Sequence, residues 1–175
     1  MTGSIYIDFD RALNTGMKLI KSRENPNLGL IIVVGINLGL RIEDLLKLTF
    51  KDLRQDSLII TEGKTGKKRT LVINDNIHKA VAFFDPHYEG YAFKSQKKTV
   101  FSPQHVNRLL KQHFRGKIST HSLRKSFGRR VWEKDNGSER SLVLLSQMLN
   151  HSSVTVTRIY LGIRQEELDN IYINL

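Results

Sequence analysis

Apolar positions recur at helical spacing along most of the chain. The first stripe of this kind contains Phe9, Leu13, Met17 and Ile20. Its spacing predicts an amphipathic helix over 7–23. The next segment, 28–37, is almost entirely apolar and is interpreted as a buried helix, although its Ile and Val residues would also allow a strand. Gly39 ends this segment, and a second helix is predicted over 42–48.

Shorter apolar runs with alternating polarity follow in the middle of the chain. Segments 58–61 and 69–73 are rich in β-branched residues and are joined by a loop of Gly and Lys, which predicts a hairpin. A helix over 75–84 and a third short strand over 91–93 are predicted next. Further helices are predicted over 103–114, 120–132, 139–149 and 165–172. These elements give an α+β fold class, mainly helical, with a small antiparallel β-sheet.

One segment of the second half is ambiguous from its residues alone. The stretch from Val154 to Thr157 alternates between β-branched apolar and polar residues, as a strand does. Ser152 and Ser153 immediately before it resemble a helix N-cap. Both a strand and a helix therefore stay open here.

Charge narrows the classes of partner. The sequence has 28 Lys and Arg against 17 Asp and Glu, a formal net charge of +11. A domain this basic most often binds a polyanion, with nucleic acid as the first candidate and an anionic membrane surface as the second. General solubility is the remaining explanation. The sequence has no cysteine, which excludes disulfides, thiolate metal sites and a cysteine nucleophile.

Targeting and membrane signals are not evident. The N-terminus lacks a basic stretch followed by a long apolar one, so no secretory signal is predicted. The longest apolar run, 28–40, is too short to cross a bilayer and contains Asn37. We therefore expect a cytoplasmic protein that does not bind a membrane.

Two segments of the first half place cationic side chains where a phosphate could bind. Gly39 lets the chain turn, so Arg41 is predicted at a helix start, where its guanidinium adds to backbone N–H donors. The hairpin loop carries Lys64, Lys67, Lys68 and Arg69. A basic loop of this kind can lie in a DNA groove, although a surface arginine and a solvated hairpin tip are the structural alternatives.

Two segments of the second half carry groups suited to proton transfer and nucleophilic attack. The spacing of His121 and Arg124 places an imidazole and a guanidinium on one helix face. Imidazole exchanges protons near neutral pH, while arginine keeps its charge. His151 precedes the segment that ends in Tyr160. Taken singly, a structural histidine and a tyrosine packed in the core are the favoured explanations of these residues.

These four segments, in this order, resemble the tyrosine recombinase (phage integrase) family. The motifs GLR-x-x-D-L, GK in the hairpin, H-x-x-R, and L-x-H followed by I-Y cover the chain from about Leu28 to Gly162. The resemblance implies the catalytic-domain fold of that family and a helix over 153–160. Carried over residue by residue, it implies an active site of Arg41, Lys64, His121, Arg124, His151 and Tyr160.

The resemblance also implies a mechanism, in which Tyr160 attacks a DNA phosphate and forms a 3′-phosphotyrosyl link. Arg41 and Arg124 would bind the non-bridging oxygens and stabilise the transition state. Lys64 would protonate the leaving 5′ oxygen. The first histidine would exchange a proton with the tyrosine, and the second would donate a hydrogen bond to the phosphate. Because the covalent link stores the bond energy, we expect no metal, ATP or other cofactor.

Double-stranded DNA is the implied partner, and the resemblance implies a homotetramer on paired sites. Candidate DNA contacts are Lys67, Lys68, Arg69, Lys94, Lys97, Lys98, Arg108, Lys111 and Lys125. Two positions depart from the family pattern. Asn150 replaces the usual Gly before the second histidine, and Asn also tolerates a left-handed turn. Asp44 replaces the usual Glu after the first arginine and is interpreted as a structural support.

The domain organisation expected is one catalytic domain over 1–175, without the N-terminal core-binding domain of most family members. About 27 residues precede the match, too few for a separate core. A type IB topoisomerase-like enzyme and a non-catalytic DNA-binding relative are the alternatives to a recombinase. A C-terminal apolar stripe contains Leu168, Ile171, Tyr172 and Leu175. It is expected to dock either on its own domain or on a neighbouring protomer.

Overall fold

The structure is a computed structural model that describes residues 3–95 and 99–174, with the helical backbone alone over 164–168. Its first half comprises α1 (Phe9–Lys21), α2 (Pro26–Leu38), α3 (Ile42–Leu45), α4 (Phe50–Leu53), β1 (Ser57–Thr61), β2 (Lys68–Val72) and α5 (Asp75–Val81). Its second half comprises α6 (Pro103–His113), α7 (Thr120–Lys134), α8 (Glu139–Met148), α9 (Val154–Leu161) and α10 (Ile163–Ile173). The predicted fold class is confirmed. Lys97 and Lys98 lie outside the described residues.

Helix α2 runs through the main hydrophobic core. Asn25 caps it by accepting a hydrogen bond from the Leu28 N–H, and Pro26 occupies the first turn, where an N–H is not needed. Almost every later residue of α2 is fully buried, and the helix packs against α1, α5 and α7. A Cβ on Gly29 would lie 2.5 Å from the carbonyl oxygen of Gly16, so α1 and α2 are in close backbone contact. The helical interpretation of 28–37 is confirmed.

The helix predicted over 42–48 is shorter than expected. Helix α3 ends at Leu45, and the chain turns before Thr49 opens α4. Thr49 and Asp52 form a capping box, in which each side chain accepts a hydrogen bond from the other residue's N–H. This local pairing begins a new helix directly after the segment 42–48, which apolar spacing had assigned to one helix.

The sheet of the described residues consists of β1 and β2, which pair antiparallel. The register pairs Ser57 with Val72, Leu58 with Leu71, Ile59 with Thr70, Ile60 with Arg69 and Thr61 with Lys68. The third strand predicted over 91–93 is wrong, since Tyr91 forms only an isolated bridge with Thr49. The Ala92 N–H donates to the Leu48 carbonyl, so this segment lines the core beside a loop.

Serine side chains cap four helices of the second half, α6 to α9. Ser102, Ser119, Ser138 and Ser153 each accept a hydrogen bond from an N–H of the following turn. Because Ser153 caps a helix, the ambiguous stretch from Val154 to Thr157 is helical and forms the start of α9. Helices α8, α9 and the start of α10 bury a second, smaller cluster of Leu142, Leu145, Leu161 and Ile163. Gly162, with φ 78°, separates α9 from α10.

An extended segment before α1 lies against α7. The Ile7 N–H donates to Ser126 Oγ at 2.9 Å, and the same hydroxyl donates to the Ile7 carbonyl at 2.5 Å. The Ile5 N–H donates to the Lys117 carbonyl. The segment therefore closes one side of the main core. Within the described residues, no helix combines the length and the apolar character needed to cross a membrane.

Candidate active site

Arg41 enters the site from the turn between α2 and α3. Gly39 has φ 60°, and a Cβ there would lie 2.3 Å from a ring carbon of Phe127, so this turn requires glycine. Arg41 is the N-cap residue of α3, as predicted, and its Nη1 donates to Glu62 Oε2 at 2.7 Å. Its side chain is 19% exposed, so the guanidinium is fixed on one side and still accessible to a ligand.

Glu62 is the acceptor that fixes Arg41. Its side chain is only 1% exposed, and its second oxygen accepts a hydrogen bond from Arg69 Nη1 at 2.9 Å. Thr65 Oγ1 donates to the carboxylate at 3.0 Å. Burial alone would raise the pKa of Glu62, but the hydrogen bonds from Arg69 and Arg41 outweigh it and lower the pKa below its ordinary value. Glu62 is therefore a carboxylate that joins the hairpin to Arg41.

Arg124 is buried beneath the site. From α7, its Nη1 donates to the Gly39 carbonyl and its Nη2 to the Leu149 carbonyl, both at 2.7 Å. It thereby connects the end of α2 with the end of α8. Burial lowers the pKa of Arg124 to about 10, so the guanidinium remains charged at neutral pH.

Tyr160 lies in the last turn of α9 with its hydroxyl buried. The hydroxyl makes no hydrogen bond of good geometry within the described residues, although the positive charges of Arg124 and Arg41 act on it. Burial raises the pKa of Tyr160 to about 12, against the lowering effect of these two arginines. At neutral pH the group is a protonated phenol that needs a proton acceptor before it can attack.

His151 packs against Tyr160, with ring centroids 4.9 Å apart and the rings edge to face. Its Nδ1 lies 2.9 Å from Thr157 Oγ1. Burial, with the positive charges of Arg124 and Arg41, lowers the pKa of His151 to about 4. His151 is therefore neutral at neutral pH and can donate a hydrogen bond only through one ring N–H.

His121 lies in the first turn of α7 and is exposed. Desolvation lowers its pKa below 6.5, and the positive charges of Arg124, Lys125 and Arg41 add to this effect, whereas Glu43 opposes it. A neutral imidazole at this position is able to accept a proton.

The lysine of the hairpin loop that contacts the rest of the site is Lys67, whereas Lys64 was the one predicted to act there. Lys64 is exposed and makes no hydrogen bond or ion pair within the described residues. Lys67 Nζ donates to Asn150 Oδ1 at 2.6 Å, which joins the hairpin to the turn before His151. The Gly63 N–H donates to Asp44 Oδ1 at 2.9 Å, consistent with Asp44 as a structural support.

The remaining basic candidates differ in accessibility. Lys68, Arg108 and Lys111 are exposed. Lys94 Nζ lies 4.9 Å from the centroid of the Tyr88 ring. Lys125 is only 8% exposed and its ammonium donates to the Ser4 carbonyl, so it is not a surface residue available to a DNA backbone.

These groups surround one space with the chemistry of phosphate attack. The Tyr160 phenol lies against the neutral imidazole of His151, and the charges of Arg41 and Arg124 act on both groups and on His121. Guanidinium groups are suited to the non-bridging oxygens of a phosphodiester. Among the described residues, no group of three or more His, Asp or Glu side chains is arranged to hold a metal ion.

Comparison of the sequence with models of protein families identifies the family of this chain. Residues 17–167 match the model of the phage integrase family. The chain belongs to the phage integrase family. The probable integrase/recombinase YoeC of Bacillus subtilis is 33% identical over 144 residues, covering 78% of this chain and 77% of that protein. The tyrosine recombinase XerC of Caldanaerobacter subterraneus is 27% identical over 173 residues.

The phage integrase chain spans about half the length of several relatives. It covers 48% of that XerC and 48% of the tyrosine recombinase XerD of Caulobacter vibrioides. The crystal structure of XerA recombinase superposes with a TM-score of 0.68 at 21% identity, over 99% of this chain and 65% of that chain. A lambda integrase dimer bound to a COC′ core site gives a TM-score of 0.66 at 19% identity, over 90% of this chain and 48% of that one. The predicted family and fold are confirmed.

In this phage integrase domain, sequence reasoning missed three contacts of the site. Glu62 was not singled out, although its position immediately before the Gly-Lys of the hairpin was a signal for a carboxylate near the arginines. The pairing of Lys67 with Asn150 joins segments far apart in sequence and had no local signal. Lys125 was expected at the DNA surface and is instead buried beside Tyr160, with its Nζ 5.1 Å from the ring centroid.

Proposed function

We propose that this chain is a site-specific recombinase domain that cleaves and rejoins DNA through a 3′-phosphotyrosyl link at Tyr160. The observation that carries the proposal is the convergence of Tyr160 with two arginines and a histidine from segments far apart in sequence. The relatives described above are named as recombinases or integrases, which supports the same activity.

The arginines supply the charge that the transition state needs. In this proposal Arg41 and Arg124 bind the non-bridging oxygens of the scissile phosphate, where negative charge grows as the phosphorus becomes five-coordinate. Both guanidinium groups are held by protein acceptors before DNA arrives, so little reorganisation is required. The partial exposure of Arg41 gives a phosphate access to this pair.

Each proton has a donor and an acceptor. The Tyr160 oxygen forms a bond to phosphorus while the bond from phosphorus to the 5′ oxygen breaks. The phenolic proton passes to His121, which is neutral at neutral pH because its pKa is lowered. Lys64 donates a proton to the 5′ oxygen, and the exposed hairpin must then meet the DNA for this step. His151 donates a hydrogen bond to the phosphate, and rejoining runs the same steps in reverse.

The proposed partner is duplex DNA, bound mainly through its phosphates. Lys68, Arg108 and Lys111 are exposed, and the net charge is +11. Affinity should then fall steeply with salt, with a log–log slope of about −0.9 for each phosphate neutralised. Fluorescence anisotropy on a labelled duplex at several salt concentrations measures this slope, and a flat response contradicts phosphate-dominated binding.

The proposed assembly is a homotetramer on paired sites, joined through the C-terminal helix. Ile171, Tyr172 and Ile173 are 59%, 77% and 77% exposed. The Leu168 side chain and Leu175 lie outside the described residues. Apolar side chains this exposed favour docking on another protomer over docking on their own domain. Gly162 provides the joint for such an exchange.

The decisive experiment is covalent capture from a duplex pool that carries a randomised core and a nick. The wild-type chain is expected to form an SDS-resistant adduct in EDTA, and mass spectrometry should place the nucleotide on Tyr160. Tyr160→Phe removes one hydroxyl that has no hydrogen-bond partner among the described residues, so the adduct should vanish while the fold survives. Tyr91→Phe, at an exposed tyrosine, is the matched control.

Two results would overturn the proposal. An adduct formed by Tyr160→Phe would show that another residue is the nucleophile. Loss of the wild-type adduct in EDTA, with recovery on adding Mg²⁺, would show that the chemistry depends on a metal.

A further inference from the structure

Lys125 follows Arg124 on α7, but its side chain contacts the Tyr160 ring and not the backbone carbonyls that Arg124 binds. Its side chain runs inward and is 8% exposed. Its Nζ lies 5.1 Å from the centroid of the Tyr160 ring and donates to the Ser4 carbonyl at 2.6 Å. The tyrosine ring thus contacts an ammonium as well as the His151 ring, which lies edge to face at 4.9 Å.

The Lys125 ammonium is costly to bury. Taking a charged group out of water is unfavourable unless polar partners replace the water. One carbonyl supplies one acceptor for three N–H donors, and desolvation lowers the pKa of Lys125. The electron-rich face of a tyrosine ring is a further partner for a cation. The side chain is therefore held by Ser4 and by Tyr160 together.

The Ser4 carbonyl is itself fixed by the fold. The extended segment before α1 is held by the two hydrogen bonds between Ile7 and Ser126 and by the bond from Ile5 to the Lys117 carbonyl. The acceptor for Lys125 thus belongs to a segment that is hydrogen-bonded both to Lys117, before α7, and to Ser126, within α7. A long, flexible lysine is converted into a fixed contact with Tyr160.

An ammonium at this place acts on a phenol in a specific direction. When the phenol loses its proton, the negative charge spreads into the ring, so a cation facing the ring stabilises the phenolate more than the neutral phenol. The other groups that face Tyr160 are Arg124 from α7, Arg41 from the start of α3 and His151 from the turn before α9. The arginines are also the groups proposed to bind phosphate, whereas Lys125 remains on the ring.

We propose that Lys125 is a positioning residue for the nucleophile: pinned by the Ser4 carbonyl, its ammonium holds the Tyr160 ring in place and supports the negative charge that develops during attack. This inference rests on the proposed function, in which Tyr160 is the nucleophile. It assigns no proton transfer to Lys125. It also explains why a basic residue of the site is buried away from DNA.

The first test follows the ionisation of residue 160 without DNA. The full chain carries 3,5-difluorotyrosine at position 160, whose phenol ionises nearer neutral pH because fluorine withdraws electrons, and ¹⁹F NMR records the titration. Lys125→Met should raise the midpoint by roughly 0.5–1 pH unit. Lys125→Arg should keep most of the wild-type midpoint. Lys18→Met, which removes an exposed lysine, is the control for net charge.

A second measurement needs no substitution at Lys125. The ε-methylene protons of Lys125 should show an upfield ring-current shift in the wild type and in Tyr160→Phe, and the shift should disappear in Tyr160→Leu. This result remains decisive if Lys125→Met does not fold. An unshifted resonance in the wild type would overturn the contact, and with it the inference.

Cleavage separates the inference from the proposed function. Under single-turnover conditions on a captured duplex, Lys125→Met should lower the cleavage rate at saturating DNA about 3- to 10-fold with little change in Kd, and Lys125→Arg should recover most of the rate. If Lys125 governs the titration but no adduct forms in any variant, the function is wrong and the positioning stands. If an adduct forms on Tyr160 while Lys125→Met changes neither the titration midpoint nor the cleavage rate, the inference is overturned and the function stands.

Discussion

The arginine pocket, formed by Arg41 and Arg124, is held more rigidly than the nucleophile segment, which is α9 with Tyr160. Arg41 and Arg124 each donate short hydrogen bonds to acceptors in the main core or the hairpin. Tyr160 packs against a second cluster in which four apolar side chains of the described residues are buried, and its hydroxyl makes no hydrogen bond of good geometry with the described residues. The charges that would meet a phosphate are fixed in advance, whereas the tyrosine is placed mainly by ring contacts.

This difference follows from what each region must do. Electrostatic stabilisation is effective when the charges are oriented before the reaction, because reorganisation then costs little. A nucleophile that forms and later breaks a covalent bond must leave its resting contacts, and strong hydrogen bonds to its hydroxyl would oppose that. Changes in the pocket should therefore affect stability and activity together, and changes in the nucleophile segment should separate them.

Replacement of Arg124 should have the largest effect on cleavage. Arg124→Ala leaves the Gly39 and Leu149 carbonyls without their donor, which should cost about 2 kcal/mol of unfolding free energy. It also removes a charge at the phosphate, which should lower cleavage by about 10²- to 10³-fold. Urea denaturation and single-turnover cleavage measure both. Arg130→Ala, on the same helix but facing Asp10, is the control, and equal losses in the two variants would contradict the assignment.

Glu62→Gln should be next, because it removes the charge shared by Arg41 and Arg69. Breaking this pair should cost roughly 2–3 kcal/mol, at the low end for buried pairs because both arginines reach solvent. Misorientation of Arg41 should lower cleavage on the order of 10-fold or more. Glu24→Gln, at an exposed carboxylate, should change neither quantity.

The same variant has a defined pH signature. The folded pKa of Glu62 lies below 4.5, so its stabilising contribution is present above pH 4.5 and is lost as the pH falls through the folded pKa. The stability difference between wild type and Glu62→Gln should therefore shrink below pH 4.5. A constant difference between pH 7 and pH 3 would contradict the ion-pair account.

His151 should produce a smaller pH effect in the same direction, at a higher pH than that of Glu62. Its pKa is about 4 in the folded chain and 6.5 when unperturbed, so the neutral form is favoured by folding. Its contribution is fully present above pH 6.5 and declines as the pH falls towards 4. On lowering the pH from 7.5 to 5.5, wild type should lose less than about 1 kcal/mol relative to His151→Gln, after solvent screening. An NMR titration of His151 with a midpoint near 6.5 would contradict this.

Truncation after Ile163 should affect the folded domain least. Ile163 is fully buried and is retained, whereas Ile171, Tyr172 and Ile173 are exposed, so stability should change by less than about 0.5 kcal/mol. Sedimentation with DNA should nevertheless show weaker assembly of the truncated chain. Identical assembly and cleavage by the two chains would reject docking on a neighbour.

Much of the fold could be predicted because its signals are local. The caps at Asn74, Ser102, Ser138 and Ser153 lie within a few residues of the N–H groups they accept from. The failed third strand lies where distant residues decide, whereas the new helix at Thr49 has a local cause. The apolar stretch 91–93 resembles a strand, yet it is apolar because Ala92 and Phe93 lie in the core. The helix predicted over 42–48 ends at Leu45, and the capping box of Thr49 and Asp52 then begins α4, a local signal that apolar spacing alone does not include.

The site was predictable as a set of motifs but not as a set of contacts. The motif order identified the groups that meet around Tyr160, because each motif is a short string. The acceptors of Arg124 are backbone carbonyls, which have no sequence signal. The burial of Lys125 depends on Ser4, 121 residues away, so a basic residue in a basic helix was expected at the surface.

The contact between Ile7 and Ser126 has a consequence for the order in which the chain folds. The two residues are 119 positions apart, yet one serine hydroxyl satisfies both the N–H and the carbonyl of Ile7. During synthesis the segment before α1 leaves the ribosome well before α7 and has no Ser126 partner until α7 has emerged. Contacts of such long sequence separation form late because loop closure opposes them. The segment before α1 should be among the last parts of this domain to become protected, and pulse-labelled hydrogen exchange would show amides 5 and 7 closing after those of α2.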